Sequence, residues 1–310
     1  MSLNRIAIYG HRGWVGSSVL RALAATGASI KVVHRAGSDI SALPASVTTA
    51  EVDLDDAHSL IPALRDIDIV LSFAGRDAVL KQHAFVKAIP KTSVKLFVPS
   101  DFAFRVDEQG LRIPANKDKH EIEEAAKVAG VPTTVVLAGA FVESALAFPI
   151  LGVDVPGNRI IHTGDSAIQQ LSFCTRNYVA AAYASIFAKT PPAELQGRAI
   201  AISEFKSTGN EIFSVLRAKN GADPQKFIHS LEKVKAEIDQ CIKNGSPTAL
   251  SWYCRKAWGL GDVVKGMGED IWEVPGYKKA TLVELLLEGK LEPYKDIPPQ
   301  VKQLFDAAFH

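Results

Sequence analysis

The sequence predicts a doubly wound α/β fold: a parallel sheet covered by helices on both faces, followed by a smaller, mainly helical region. Three observations predict it. Apolar runs of strand length recur through residues 6–139 without polar alternation, the pattern of strands buried on both faces. Stretches with helical spacing separate them, so successive strands run parallel through crossovers. The first strand passes into the first helix through RIAIYGHRGWVGSSVLRAL, a tight turn with glycines at Gly10, Gly13 and Gly16.

The elements follow in order. Ile6 to Gly10 is the first strand, and Val15, Val19, Ala22 and Leu23 mark a helix that Gly27 closes. Ile30 to His34 and Val47 to Val52 are the next strands, and Asp56 to Leu64 reads as a helix. Asp68 to Gly75 is the fourth strand, Asp77 to Ile89 a helix, and Val94 to Ser100 a fifth strand stopped by Pro99. Asp118 to Ala129 is a helix ended by Gly130, and Thr133 to Gly139 is the sixth strand. Residues 1–150 form the nucleotide-binding unit, to which about 172–205 returns. The smaller substrate-side region comprises 151–171 and 206–310. There, Phe148 to Ser166 reads as a hairpin or long loop. Helices are expected at Arg176 to Ala188, Asn210 to Lys219, Pro224 to Asn244, Thr281 to Leu287 and Pro299 to Phe309.

Bulk properties exclude several classes. A chain of 310 residues, 47% hydrophobic and 22% charged, is an ordinary globular composition. Its net charge of +1 gives no support to nucleic-acid or acidic-membrane binding. Cys174, Cys241 and Cys254 are odd in number and contain no Cys-x-x-Cys pair, which argues against a disulfide framework and for a reducing, cytoplasmic setting. No His/Cys/Asp/Glu spacing suits a metal, and no apolar run suits a membrane span.

In a doubly wound sheet the ligand sits at the carboxyl ends of the strands. The predicted site therefore collects Gly10, His11, Arg12, Gly13, Trp14, Val15 and Gly16; His34 and Arg35; Asp53; Ser72, Phe73, Ala74 and Gly75; Pro99 and Ser100; and Ala140 and Phe141. Gly-x-x-Gly-x-x-Gly between a strand and a helix is the context of a dinucleotide-binding, Rossmann-type turn. Glycine at 10 permits the turn, Gly13 lets a pyrophosphate approach the backbone, and Gly16 lets helix and strand pack closely. The second strand ends in Arg35, where an NAD site usually carries Asp or Glu. A guanidinium can bind a 2′-phosphate, so NADP(H) is the expected cofactor, with a solvated surface arginine as the alternative. Asp53 either accepts from the adenine amino group or caps the helix that follows.

Catalytic residues are harder to read. None of the six tyrosines is followed four residues later by Lys, and no Gly-x-Ser-x-Gly occurs. In KDKHEIEEAAKVAGVP, Lys119 lies a turn before Ile122 and borders the apolar stripe, whereas Lys117 projects away. A lysine against an apolar wall can serve proton transfer; by helix geometry alone a solvated side chain is the better reading.

Several stretches resemble the NmrA-like and isoflavone-reductase-like group of atypical short-chain dehydrogenases. These are YGHRGWVG, VVHR, VPSDF, KHEIEEAAKVAGVPTTVVLAGAFVES and GDSAIQQLSFCTRNYVAAA, in order across about residues 4–190. The family's lysine stands thirteen residues before the Pro of the next strand, and Lys119 has that offset to Pro132. The resemblance implies that Lys119 is catalytic, holding the nicotinamide ribose or carboxamide and assisting proton delivery. It implies a small aromatic or conjugated substrate, faced by Asp101, Phe102, Phe141 and Glu143, and is compatible with a homodimer. Asp101 stands where the reductases usually have Glu, and Ala140 to Ser144 lack the Asn-rich form of the plant enzymes. The same group includes regulators that bind dinucleotides without turnover, the alternative to a reductase. The tryptophans of residues 252–272 are read as core of the smaller region, or as a lid or partner surface.

Overall fold

The computed structural model describes residues 3–75, 78–294 and 298–309. Its centre is a five-stranded parallel sheet in the order β3–β2–β1–β4–β5, with β1 Arg5–Tyr9, β2 Ser29–His34, β3 Thr48–Glu51, β4 Ile69–Ser72 and β5 Leu96–Val98. A bridge between Phe97 and Thr133 carries the sheet toward β6 (Val135–Leu137). The expected Rossmann-type class is the fold observed. The strand order reverses between β1 and β4, and both end where Gly10 approaches Phe73.

Alternation within β1 shows why the sheet is covered twice. Ile6 and Ile8 enter a core with α1 (Trp14–Ala25) and α7 (Arg176–Phe187), while Ala7 and Tyr9 enter one with α3 (His83–Ala88) and α5 (Pro114–Val128). Successive strand residues point to opposite faces, so an all-apolar strand needs helices on both. Between β3 and β4 lies the short α2 (Leu60–Ala63). At the opposite end of the sheet, Asp68 accepts from the Arg5 guanidinium and from Lys95, which holds its carboxyl well below the usual carboxylate range and pins β1, β4 and β5 together.

Boundaries moved where local chemistry differed from the periodicity. Helix α5 starts at Pro114 rather than Asp118, because proline is preorganised for the first helical position. Asp77 lies outside the described residues, and a 3₁₀ turn, Leu80–Gln82, precedes α3.

The rest of the chain opens with α4 (Glu108–Leu111), ahead of α5, and continues after β6. It contains β7 (Ala140–Phe141), α6 (Val142–Ala147), the hairpin β8 (Val153–Asp154) and β9 (Arg159–Thr163), and β10 (Leu171–Cys174). After α7, which lies against α1, come α8 (Pro192–Leu195), β11 (Ala199–Ala201, parallel to β6) and β12 (Phe205–Ser207). Then follow α9 (Gly209–Asn220), β13 (Gln225–His229), α10 (Leu231–Lys243), α11 (Ala249–Gly259), α12 (Asp262–Met267), α13 (Leu282–Leu286) and α14 (Pro299–Asp306). The single helix expected from Pro224 to Asn244 is corrected: its first turn is strand β13, paired in parallel with β9, and Ser230 caps α10. The tryptophan-rich segment is largely core. Trp258 is buried, its indole N–H donating to the Gln169 carbonyl, and the buried Tyr253 hydroxyl accepts from the Asp107 N–H.

Candidate functional site

Gly10 follows β1 with φ +87°, and a Cβ there would sit 2.5 Å from the Phe73 carbonyl oxygen. A Cβ on Gly16 would press into the Gly10 carbonyl. Gly13 differs: its φ is −63°, and the nearest atom to an added Cβ is the Gly10 oxygen at 3.1 Å, the next two at 4.0 Å. Two of the glycines are thus demanded by close packing, and the third is less crowded, with an ordinary backbone conformation and one close neighbour, the Gly10 oxygen. Gly13 begins α1 with no side-chain cap and no acidic residue in the first turn. The amide groups of that helix start are left for an anion, so the turn fits a dinucleotide pyrophosphate.

Beside the turn, a cavity of about 290 Å³ is lined by His11, Arg12, Ser17, Arg21 and Asp39. His11 is buried, with Nε2 3.3 Å from the Asp39 carbonyl oxygen, and burial pushes its pKa down. Arg12 is exposed, as is Arg35 at the end of β2, while His34 is buried with Nδ1 3.1 Å from the Arg35 carbonyl. Asp53 does not cap the following helical turn: Asp56 does, and Asp53 accepts from the Asp55 N–H at 2.9 Å. Ser72, Phe73 and Ala74 are buried and Gly75 is exposed. The Ser72 hydroxyl has no hydrogen-bond partner among the described residues. Pro99 is buried, and Ser100 donates its hydroxyl to the Ala74 carbonyl and its N–H to Gln82, both at 2.9 Å. The loops after β4 and β5 are therefore tied together.

Aromatic rings connect the turn to the later chain. Phe102 stacks on Phe73 at 5.9 Å and meets Phe141 edge-on at 5.8 Å. Phe141 meets Trp14 at 5.2 Å, and Trp14 also meets Tyr294 at 4.8 Å. The Arg176 guanidinium lies over the Trp14 ring at 5.2 Å and pairs with Glu292 at 2.5 Å. Val15 and Ala140 are half-buried in the same neighbourhood of α1 and β7. Sequence reasoning missed Arg176, Glu292 and Tyr294, since nothing local marks residues whose partner is Trp14. Phe148 packs on Tyr294 and Phe305.

Lys119 and Asp101, separate in sequence, are joined: Lys119 Nζ lies 3.2 Å from Asp101 Oδ1, with both side chains largely covered. They line a second cavity of about 290 Å³ with Phe104, Asn116 and Glu123. Arg105 forks onto Glu123 at 2.5 and 2.7 Å in the same wall, another pair missed from sequence. Lys117 is exposed. An ammonium held by a carboxylate in a sheltered pocket can polarise a carbonyl or hold a proton for transfer. Glu143 is not there: it is buried in the wall of a third cavity, with Thr175 and Tyr277. Among the described residues, no group of three or more His, Cys, Asp or Glu side chains could hold a metal, and no helix is long and apolar enough to cross a membrane.

Comparison with known proteins places this geometry. An isoflavone reductase homolog of Zea mays is 30% identical over 233 residues, 70% of this chain and 75% of that protein. An isoflavone reductase of Cicer arietinum is 26% identical over 266 residues, covering 77% and 82%. Among solved structures, an isoflavone reductase superposes with TM-score 0.70 at 22% identity, covering 92% of this chain and 99% of that one. A leucoanthocyanidin reductase–NADPH complex from Vitis vinifera superposes with TM-score 0.67 at 18% identity, covering 98% and 99%. The sequence model of the NmrA-like family matches residues 2–253, nearly the whole extent over which the glycine turn, the lysine pocket and the aromatic chain are assembled, and the chain belongs to that family.

Proposed function

We propose that this protein is an NADPH-dependent reductase that passes a hydride to a small aromatic or conjugated substrate. One observation carries the reading: the glycine turn runs into an uncapped helix start with no acidic residue in its first turn, and the second strand ends in arginine rather than a carboxylate. Structures of similar fold support it: a leucoanthocyanidin reductase was solved with NADPH, and AtPrR2 with NADP+ and (+)-pinoresinol. In this reading the turn from Gly10 to Gly16 holds the pyrophosphate, and Arg35 holds the 2′-phosphate. NADPH supplies the hydride when bound. Lys119 holds a proton at Nζ and stabilises negative charge developing on the substrate, and Asp101 orients that ammonium. Phe102, Phe141 and Trp14 exclude water around the reacting ring.

Titration with NADPH, NADP+, NADH and NAD+ tests it. Arg35→Ala is expected to weaken NADPH roughly tenfold to a hundredfold, the loss of a charge-assisted contact, with NADH unchanged. Lys119→Ala is expected to lose turnover, with a smaller loss of NADPH affinity than Arg35→Ala. A second reading, a dinucleotide sensor acting through protein partners, draws support from the Asp101–Lys119 pair, which already engages the ammonium. It requires oxidised forms to bind at least as well as NADPH. Equal affinity of the Arg35→Ala variant for NADPH would remove arginine from the selection of cofactor.

A further inference from the structure

Glu143 begins the second residue of α6, two positions after Phe141, and is 1% exposed. One carboxylate oxygen accepts from the Arg176 N–H at 2.7 Å. The other, Oε2, has no hydrogen-bond partner among the described residues. Buried polar atoms are normally answered, so this one calls for a donor. Glu143 lies in the wall of a cavity of about 250 Å³ bounded also by Thr175, Asn177, Tyr277, Ala280 and Leu285.

The other charges of that wall are taken. Glu204 accepts from the Thr175 N–H and hydroxyl through one oxygen and from the Ala280 N–H through the other. Lys278 and Lys290 pair with Glu284, Lys279 with Glu273, and Glu292 with Arg176. A cation entering here would find only one carboxylate, itself pushed up to about 7 by burial. A neutral donor suits it better. Tyr277, Ala280 and Leu285 offer apolar surface, and the volume lies below the range of drug-sized pockets, which suits one ring. One residue links this cavity to the aromatic wall of the proposed site: Arg176 donates its N–H to Glu143 and lays its guanidinium over Trp14.

We propose that this cavity is the hydroxyl-reading end of the substrate site, taking one phenol-class ring whose hydroxyl donates to Glu143 Oε2. The proposal rests on the reductase reading and makes Glu143 a specificity residue for it. An ionised carboxylate accepts more strongly than a neutral one, so binding tightens as Glu143 ionises.

Calorimetric titration of the full chain with phenol, and with benzene as the ring lacking the hydroxyl, tests this at pH 6 and pH 8. Phenol is expected to bind the wild type, several-fold more tightly at pH 8. Glu143→Leu is expected to lose about tenfold for phenol and nothing for benzene. Glu143→Gln is expected to fold and bind phenol with no pH dependence. Absence of phenol binding, equal phenol affinity in Glu143→Leu, or an unchanged pH dependence in Glu143→Gln would each overturn it. The titration contains no nucleotide and needs no turnover. Its failure therefore leaves the reductase reading to the NADPH titration, and failure of NADPH to bind would appear there alone.

Discussion

Gly13→Ala is expected to abolish dinucleotide binding in a chain that stays folded, whereas Gly10→Ala and Gly16→Ala are expected to compromise the fold itself. The three positions look alike in sequence and differ in what surrounds them. At Gly10 a Cβ meets the Phe73 carbonyl oxygen at 2.5 Å and carbon at 2.8 Å, and φ is +87°. Left-handed backbone costs a non-glycine residue about 1–2 kcal/mol, and crowding against a strand backbone adds about 1–3 kcal/mol. At Gly16 the Cβ presses on the backbone of Gly10 and lies 3.2 Å from Cβ of Phe73, so α1 would have to move off the sheet. At Gly13 the backbone is one any residue adopts, and only the Gly10 oxygen is near, at 3.1 Å. Alanine as N-cap in place of glycine costs up to about 1 kcal/mol. In the proposed site, however, the added methyl would narrow the turn whose backbone receives the pyrophosphate. Urea unfolding and an NADPH titration on the three variants separate the cases. Wild-type NADPH affinity in Gly13→Ala would mean that the phosphates do not approach the turn at Gly13.

Glu143 is expected to contribute a loss of stability as pH rises from about 4.5 to 7, opposed over part of that range by the buried His11 and His162, and Glu143→Gln to remove that contribution. The Glu143 carboxyl ionises near 4.5 ordinarily and near 7 in the fold, because burial disfavours the charge. Below the lower value it is neutral in both folded and unfolded chains and has no effect. Between the two values the unfolded chain gives up its proton and the folded chain keeps it, so unfolding is favoured progressively. Above 7 both are ionised and the penalty is constant. The interval corresponds to about 3 kcal/mol. Glutamine keeps an acceptor for the Arg176 N–H but brings amide hydrogens of its own into the cavity, which reduces the net gain at pH 8 to about 1–2 kcal/mol. Urea midpoints of the two proteins from pH 4.5 to 8 measure the difference. Parallel curves would mean that the folded carboxyl ionises in the ordinary range.

Much of the nucleotide half was legible because its signals are local. The apolar run at Ile6 to Tyr9 and the helical spacing after Gly16 each lie within one element, and β1, α1 and β2 form where that spacing places them. The strand QKFIH at 225–229 was not legible. It is mostly exposed, and it is a strand because Gln225 to His229 pair in register with Arg159 to Thr163, more than sixty residues earlier. The candidate site divides in the same way. Lys119 was placed by helix geometry and a family offset, but its partner Asp101 comes from the loop after β5, and only the fold sets them 3.2 Å apart.

By itself the sequence determined the alternation of strands and helices, the glycine turn and the arginine that ends β2. These follow from hydrophobic period, backbone freedom and charge, which are properties of neighbouring residues. Only the tertiary structure decided which glycines are demanded by packing and which is less crowded, that Trp14 is held between Phe141, Tyr294 and Arg176, and that Glu143 lies in a cavity apart from Lys119. Those are contacts and desolvation between segments remote in the chain, and no local pattern carries them.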